Sequence, residues 1–235
     1  MLDESPIADA TQAAPKAPRE TAVQRIYGEL REKIIDLQLP AGMVLSKNDI
    51  AADFGVSQTP VREALILLEE EGLVDVYPQS RTVVSYIDVQ SAREAHFLRR
   101  SVEVEVARTL AGAIEDDQVT ELRNLIADQK TAGERGEHSR FLALDNFFHQ
   151  RMYEMAGIGG LWDVVRSNRA HLDRLRRLHL PVGNKAKDIV SDHTAIIDAI
   201  AGRDPEKAEA AVRDHLKGTV FKAKEIRKHF PEYFA

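Results

Sequence analysis

Two short helical stretches hinged on Gly55-Val56-Ser57 limit what this chain can fold into more than any other segment. Ser46 suits the N-cap of the first, with Asp49 three residues on as a partner, and that helix runs to about Phe54. Gly55 permits the turn, Val56 can fill the angle between the helices, and Ser57 can cap a second helix from Gln58 to about Glu71. Pro60 falls in its first turn, where no intrahelical donor is lost. Val61, Ala64, Leu65 and Leu68 form its buried stripe, and Gly72 ends it.

Upstream, Val23, Ile26, Tyr27, Leu30, Ile34 and Leu37 recur at helical spacing, which predicts a helix from about Ala22 to Leu37, broken by Leu39-Pro40-Ala41-Gly42. Downstream, Leu73–Tyr77 and Thr82–Tyr86 are β-branched and aromatic, and they flank Pro78-Gln79-Ser80-Arg81. That pattern predicts a two-stranded hairpin. Three helices and a hairpin make a winged helix-turn-helix over residues 22–88. Residues 1–21, with repeated Ala and Pro, read as a flexible arm.

From residue 89 to 235 the periodicity is helical, so the fold class is mainly α, with an all-α bundle as the second domain. Helices are expected near 89–113, 116–132, 137–156, 158–180, 184–202 and 204–229. The last opens on Asp204-Pro205, an N-cap followed by proline in the first turn. No apolar run approaches the roughly 18–20 residues of a membrane helix, and the N-terminus lacks a secretory layout. Cysteine is absent, which excludes disulfides and thiolate metal sites. The expectation is a cytoplasmic protein with no membrane partner.

Charge argues against a simple nucleic-acid grip. Residues 22–88 hold six Lys/Arg against eleven Asp/Glu. Binding DNA would then depend on locally placed donors, not bulk attraction. The second helix of a helix-turn-helix enters the major groove by its N-terminal end. Here that end carries Ser57, Gln58, Thr59 and Arg62, while Glu69-Glu70-Glu71 lie at the far end. Lys47 begins the preceding helix and Arg81 stands at the wing tip. The same residues also fit an ordinary helical pair with a solvated polar end.

The stretch Phe54-Gly55-Val56-Ser57-Gln58-Thr59-Pro60-Val61-Arg62-Glu63-Ala64-Leu65, with Leu39–Gly42, Leu45–Ala51 and Leu68–Val74 around it, closely resembles the GntR family of bacterial regulators. The resemblance implies a DNA-binding regulator, expected to be a repressor acting as a homodimer on a pseudo-palindromic double-stranded site. Three positions depart from the family pattern. Gln58 stands where Arg is usual, Lys47 where an acidic residue is usual, and Arg81 where Gly is usual. An Arg-to-Gln exchange should move readout from guanine toward adenine, and Arg81 should strain a tight turn.

In the second domain Asp145 and His149, four residues apart, project from one helix face with Phe141, Phe148 and Met152. His193 falls in the stripe Ile189, Val190, Ile196, Ile197 and Ile200, and His215 in the stripe Ala208, Ala211, Val212 and Leu216. One histidine in such a stripe is an ordinary core histidine. Four polar groups from three helices, unpartnered, would each cost about 1–3 kcal/mol. A shared ion would satisfy them, and three imidazoles with a carboxylate suit Zn²⁺ or another divalent first-row ion such as Ni²⁺. His96, His138, His171, His179 and His229 show no comparable partnering.

Residues 89–235 resemble the helical ligand-binding domain of the FadR subgroup of that family. Its metal-binding members use an Asp-x-x-x-His pair and two later histidines, matched here by Asp145, His149, His193 and His215. The resemblance also implies a small organic acid as effector, with Arg99 contacting its carboxylate. The alternative for Arg99 is an exposed salt bridge with Glu103 at i,i+4. Two further readings stand beside the sensor: a metal-dependent enzyme acting on a small carboxylate, and a plain helical interaction protein.

Overall fold

The computed structural model describes residues 20–78 and 80–235. Most of the arm expected over 1–21 lies outside them. Thr21, its last residue, is the N-cap of α1 (Ala22–Ile35) and forms a reciprocal capping box with Gln24. Then follow β1 (Val44–Leu45), α2 (Lys47–Phe54), α3 (Gln58–Glu70), β2 (Val74–Tyr77) and β3 (Arg81–Val84). Gly55 closes α2 at φ 64°, a left-handed conformation that glycine adopts without penalty.

The wing is a three-stranded antiparallel sheet in the order β1-β3-β2, not the two-stranded hairpin expected. Val44 pairs with Val83 and Leu45 with Thr82. Two residues cannot show a period-two pattern, so this strand left no signal in the sequence. Arg81 lies inside β3 opposite Tyr77, with its guanidinium 5.4 Å from the Tyr77 ring. The strain expected at Arg81 is absent: among the described residues only Leu37 and Arg203 are non-glycine residues at positive φ.

The second domain holds α4 (Val89–Ala113), α5 (Asp116–Glu134), α6 (His138–Met155), α7 (Gly160–Ser167), α8 (Ala170–His179), α9 (Lys185–Ala201), α10 (Pro205–Leu216), α11 (Gly218–Phe221), α12 (Ala223–His229) and a final turn at Pro231–Tyr233. Asp88 caps α4 by accepting from the backbone N–H groups of Gln90 and Ser91. The helices expected over 158–180 and 204–229 are each broken. Asn168 turns its amide back onto the Val164 carbonyl and ends α7. Arg169 then leaves helical geometry, with its side chain buried over Trp162, 4.6 Å from the ring. Tertiary packing of this kind is invisible to periodicity.

Ile26, Ile34, Val61, Leu65, Leu68, Leu73 and Val84 form the core of the N-terminal head, and Ala170 of α8 belongs to the same cluster. The bundle core gathers Val106, Leu110, Leu122, Phe148, Tyr153, Ile196, Ile200 and Val212. A third cluster joins Ile87 of the linker to Leu172, Leu175 and Phe234, and the Ile87 amide donates to the Tyr233 carbonyl at 2.8 Å. Helix α8 is thus packed into the head and the bundle at once.

Candidate DNA-binding head and metal centre

At the N-terminus of α3, Ser57, Gln58, Thr59 and Arg62 are all exposed. Ser57 occupies the N-cap position, yet its hydroxyl makes no capping bond, contrary to expectation, and is free for an outside acceptor. Gln58 Nε2 donates to Asn48 Oδ1 of α2 at 2.5 Å. This contact engages the amide nitrogen and leaves Gln58 Oε1 without a hydrogen bond among the described residues. Lys47 is half-buried at the start of α2, and Arg81 is exposed on the wing. At the opposite end of α3, Glu69 and Glu70 are exposed. Glu71 instead takes Arg31 Nε at 2.8 Å and the Tyr27 hydroxyl. One acidic charge of the head is therefore neutralised internally, and burial together with Glu71 pushes the Tyr27 phenol up to about 12.

In the bundle, α6 brings Asp145 and His149, α9 brings His193 and α10 brings His215 to one buried point. Ligand atoms of the three imidazoles lie within 4.8 Å of one another. His193 Nε2 is 3.3 Å from His215 Nε2 and 3.7 Å from Asp145 Oδ1, and His149 Nε2 is 3.9 Å from Asp145 Oδ2.

The outer nitrogens explain which way these rings face. His149 Nδ1 meets Glu103 Oε2 at 3.1 Å. His193 Nδ1 meets Gln129 Oε1 at 2.8 Å, and the same amide offers its Nε2 to Asp145 Oδ1 at 3.5 Å. Asp192 lies 3.4 Å from His215 Nδ1. An acceptor at Nδ1 puts the proton there and turns the Nε2 lone pair inward. For His149 and His193 both inner nitrogens then present lone pairs, and His149 Nε2 has no hydrogen-bond partner. A donor set of this kind fits a cation.

Protonation agrees with that fit. Burial pushes His149 down to about 4, against the pull of Glu103. Burial, then His215, holds His193 well below its usual range. Burial alone would raise Asp145, but Arg176, His149 and His193 together hold its carboxyl well below the ordinary value. At neutral pH the His149 and His193 imidazoles are neutral and the Asp145 carboxylate is ionised, as metal ligation requires.

Arg99 is turned inward, 2 % exposed, and its Nε donates to Glu103 Oε1 at 2.6 Å. The ion pair with Glu103 exists, but it is buried and continuous with His149, not exposed. Arg99 Nη2 has no acceptor. Glu103, Gln129, Arg176 and Asp192 complete the surroundings of the donors and were not singled out as site residues by sequence. Gln129 was findable, since it follows Leu122 and Ile126 on the buried face of α5. Arg176, which is hydrogen-bonded to Asp145, sits in a run of arginines that looks solvated. Two of the five histidines outside the donor set are also buried and bonded, although neither joins a cluster of donors. His96 Nε2 meets the Leu216 carbonyl at 2.8 Å, and His171 Nδ1 accepts from the Asp88 amide at 3.2 Å.

A winged three-helix head joined to an all-helical domain with an inward-facing donor set defines a DNA-binding transcriptional regulator with a ligand-binding domain. The chain belongs to the GntR family of bacterial regulatory proteins, whose model matches residues 22–84, and it carries an FCD domain over residues 94–218. It is 39% identical to an uncharacterized HTH-type transcriptional regulator in an unstable DNA locus of Streptomyces ambofaciens, over 89% of this chain and 88% of that protein. It is 31% identical to the HTH-type transcriptional repressor RspR of Escherichia coli, over 93% and 96%. Among solved structures, E. coli McbR/YncC shares the fold at a TM-score of 0.73 and 16% identity, covering 89% of this chain and 99% of that one. These proteins are regulators, which sets aside the enzyme reading. No helix among the described residues is long and apolar enough to cross a membrane.

Proposed function

We propose that the chain is a cytoplasmic repressor that binds a pseudo-palindromic operator as a homodimer and responds to a small organic acid at a divalent metal, zinc or nickel, held by Asp145, His149, His193 and His215. The observation that carries the reading is the convergence of the three imidazoles on one buried point, with His149 and His193 each backed by an acceptor at Nδ1 that turns its Nε2 lone pair inward. A divalent ion bound there supplies Lewis acidity toward a carboxylate oxygen. Arg99, locked by Glu103 through Nε, keeps Nη2 for the same carboxylate. Repression is the role named for RspR and for the gluconate operon repressor of Bacillus subtilis among the relatives.

In the head, Ser57, Gln58, Thr59 and Arg62 read the groove, with Lys47 and Arg81 on phosphate or the neighbouring groove. Gln58 uses its unbonded oxygen directly, or leaves Asn48 to pair with adenine.

Helix α8 carries the signal between the two. On one side Arg176 holds Asp145. On the other, Arg174 Nη1 donates to the Ser85 carbonyl at 2.9 Å, and His171 accepts from the Asp88 amide. A change in what Asp145 binds alters its grip on Arg176, and α8 transmits that to the base of the wing. The test is operator affinity of metal-loaded and metal-stripped protein, with metal content read by elemental mass spectrometry. The reading expects about one metal per chain, lost in His149→Ala/His193→Ala, and an effector response only in the loaded form. Identical DNA binding and identical response in both forms refutes it.

A further inference from the structure

Two spaces meet at His215. The first is a small cavity of about 30 Å³ beside the donor cluster, lined among others by Arg99, Arg176, Lys185 and Thr219. The second is an open mouth of about 670 Å³ at the surface, where Lys185, Lys217, Lys222, Lys224 and Lys228 gather. Lys185 and His215 line both, so the Lys185 side chain is part of the wall between them.

Lys185 is the first residue of α9 and is half-buried. Its Nζ lies against Gly218, where a Cβ would come within 2.7 Å of it. Any side chain at Gly218 would push the ammonium away. At the mouth, Lys217 is paired with Asp214 at 2.6 Å and Lys222 with Glu225 at 2.8 Å. Among the described residues no ion pair is formed by Lys185, Lys224 or Lys228.

The charges around the inner cavity do not balance. Arg99 is matched by Glu103, Arg176 by Asp145, and Arg169 behind them by Asp173. Lys185 is left over, and a divalent ion in the donor set adds two more positive charges. Asp192, beside His215 at the mouth, offsets one. The remainder is an excess of about two positive charges, with Arg99 Nη2 still lacking an acceptor. Charge facing a low-dielectric space is tolerated when it is paired and costly otherwise. One carboxylate leaves the excess unmatched.

We infer that the effector is a compact polyanion with two or three ionised groups, and that Lys185 is the residue that selects it. One acidic group goes to the inner cavity, onto Arg99 Nη2. A second is taken by Lys185 and stays at the lysine-ringed mouth. The inner cavity has room for a water or two, so the first group enters as Lys185 swings out of the wall and joins the two spaces. This deepens the effector reading above and rests on it.

The test is calorimetric titration of the zinc-loaded full chain with butyrate, succinate, tricarballylate and 3-phosphoglycerate, with bound zinc measured after each titration. Affinity should rise by about tenfold or more with each added charge from butyrate to tricarballylate. The phosphate probe shows whether the mouth prefers a second carboxylate or a phosphoryl group. Lys185→Met, which keeps the aliphatic stem, should flatten the ladder by about tenfold, and Lys185→Arg should keep it. Equal affinity for butyrate and tricarballylate, an unchanged ladder in Lys185→Met, or no binding of any probe overturns the proposal. Failure of the metal reading looks different: no zinc is retained and chelation changes nothing, while Lys185→Met still lowers the affinity for tricarballylate relative to butyrate.

Discussion

Replacing Glu103 by Gln separates the shape of the site from its charge. Glu103 is 2 % exposed and divides its oxygens between Arg99 Nε at 2.6 Å and His149 Nδ1 at 3.1 Å. Glutamine fits the same space but keeps one acceptor and turns the other into a donor. Either Arg99 or His149 then faces an N–H, and Arg99 loses its counter-charge in a fully buried setting. Breaking a buried ion pair from one side costs about 3–5 kcal/mol. For a chain of this size about 1 kcal/mol moves Tm by roughly 2–4 °C, so metal-free Glu103→Gln should melt roughly 6–20 °C below wild type. Loss of the group that orients a ligand histidine should also weaken metal binding by about 10–100-fold. The assays are thermal unfolding by circular dichroism and competition for zinc against a chromophoric chelator. Adding Arg99→Met should restore much of the lost stability, because the orphaned charge goes with it. A Tm change under about 3 °C together with unchanged zinc affinity would refute the account of Glu103 as the shared partner of Arg99 and His149.

Selection of bound DNA from a random pool should return different bases for wild type and Gln58→Arg, with guanine favoured by the variant; the same bases from both would remove Gln58 from readout. His171 at the head–bundle junction has its pKa lowered by burial and by Arg174. The folded state therefore binds fewer protons there than the unfolded chain, and the stability it contributes is fully present above about pH 6.5 and lost as pH falls below it. Wild type should lose Tm between pH 7.5 and 5 more steeply than His171→Gln, and equal slopes would contradict this. Burial pushes Arg174 down to about 10, and its hydrogen-bond partners among the described residues are the Ser85 carbonyl and hydroxyl. Arg174→Met should therefore keep or raise Tm, since burying an unpaired charge is unfavourable, while reducing the effect of metal loading on operator affinity. An undiminished effect of metal on DNA binding in that variant would show that α8 does not carry the signal through this contact.

Local rules account for much of the head. Ser46, Gly55, Pro60 and Gly72 act within a few residues of themselves, so the ends of α2 and α3 could be read directly from the chain. Ser57 shows the limit: the position is an N-cap by backbone, but whether the hydroxyl turns to its own helix or outward is not a local matter. The bundle divides in the same way. Asp145 and His149 share a face because of helical spacing alone, and His193 and His215 lie on apolar stripes that must be buried somewhere.

The sequence by itself determined most of the helices, the helix-turn-helix and the family, and it set Asp145, His149, His193 and His215 on faces that must be buried, since each follows from periodicity, capping or a contiguous motif. Only the tertiary structure decided how those donors are held and what else faces them. Glu103 and His149 are 46 positions apart, Gln129 and His193 64, and Asp145 and Arg176 31. No spacing rule links residues that meet only when separate helices pack. The same holds for the strand at Val44–Leu45, for the break at Asn168-Arg169, and for the burial of Arg99, each set by the neighbours that packing brings together.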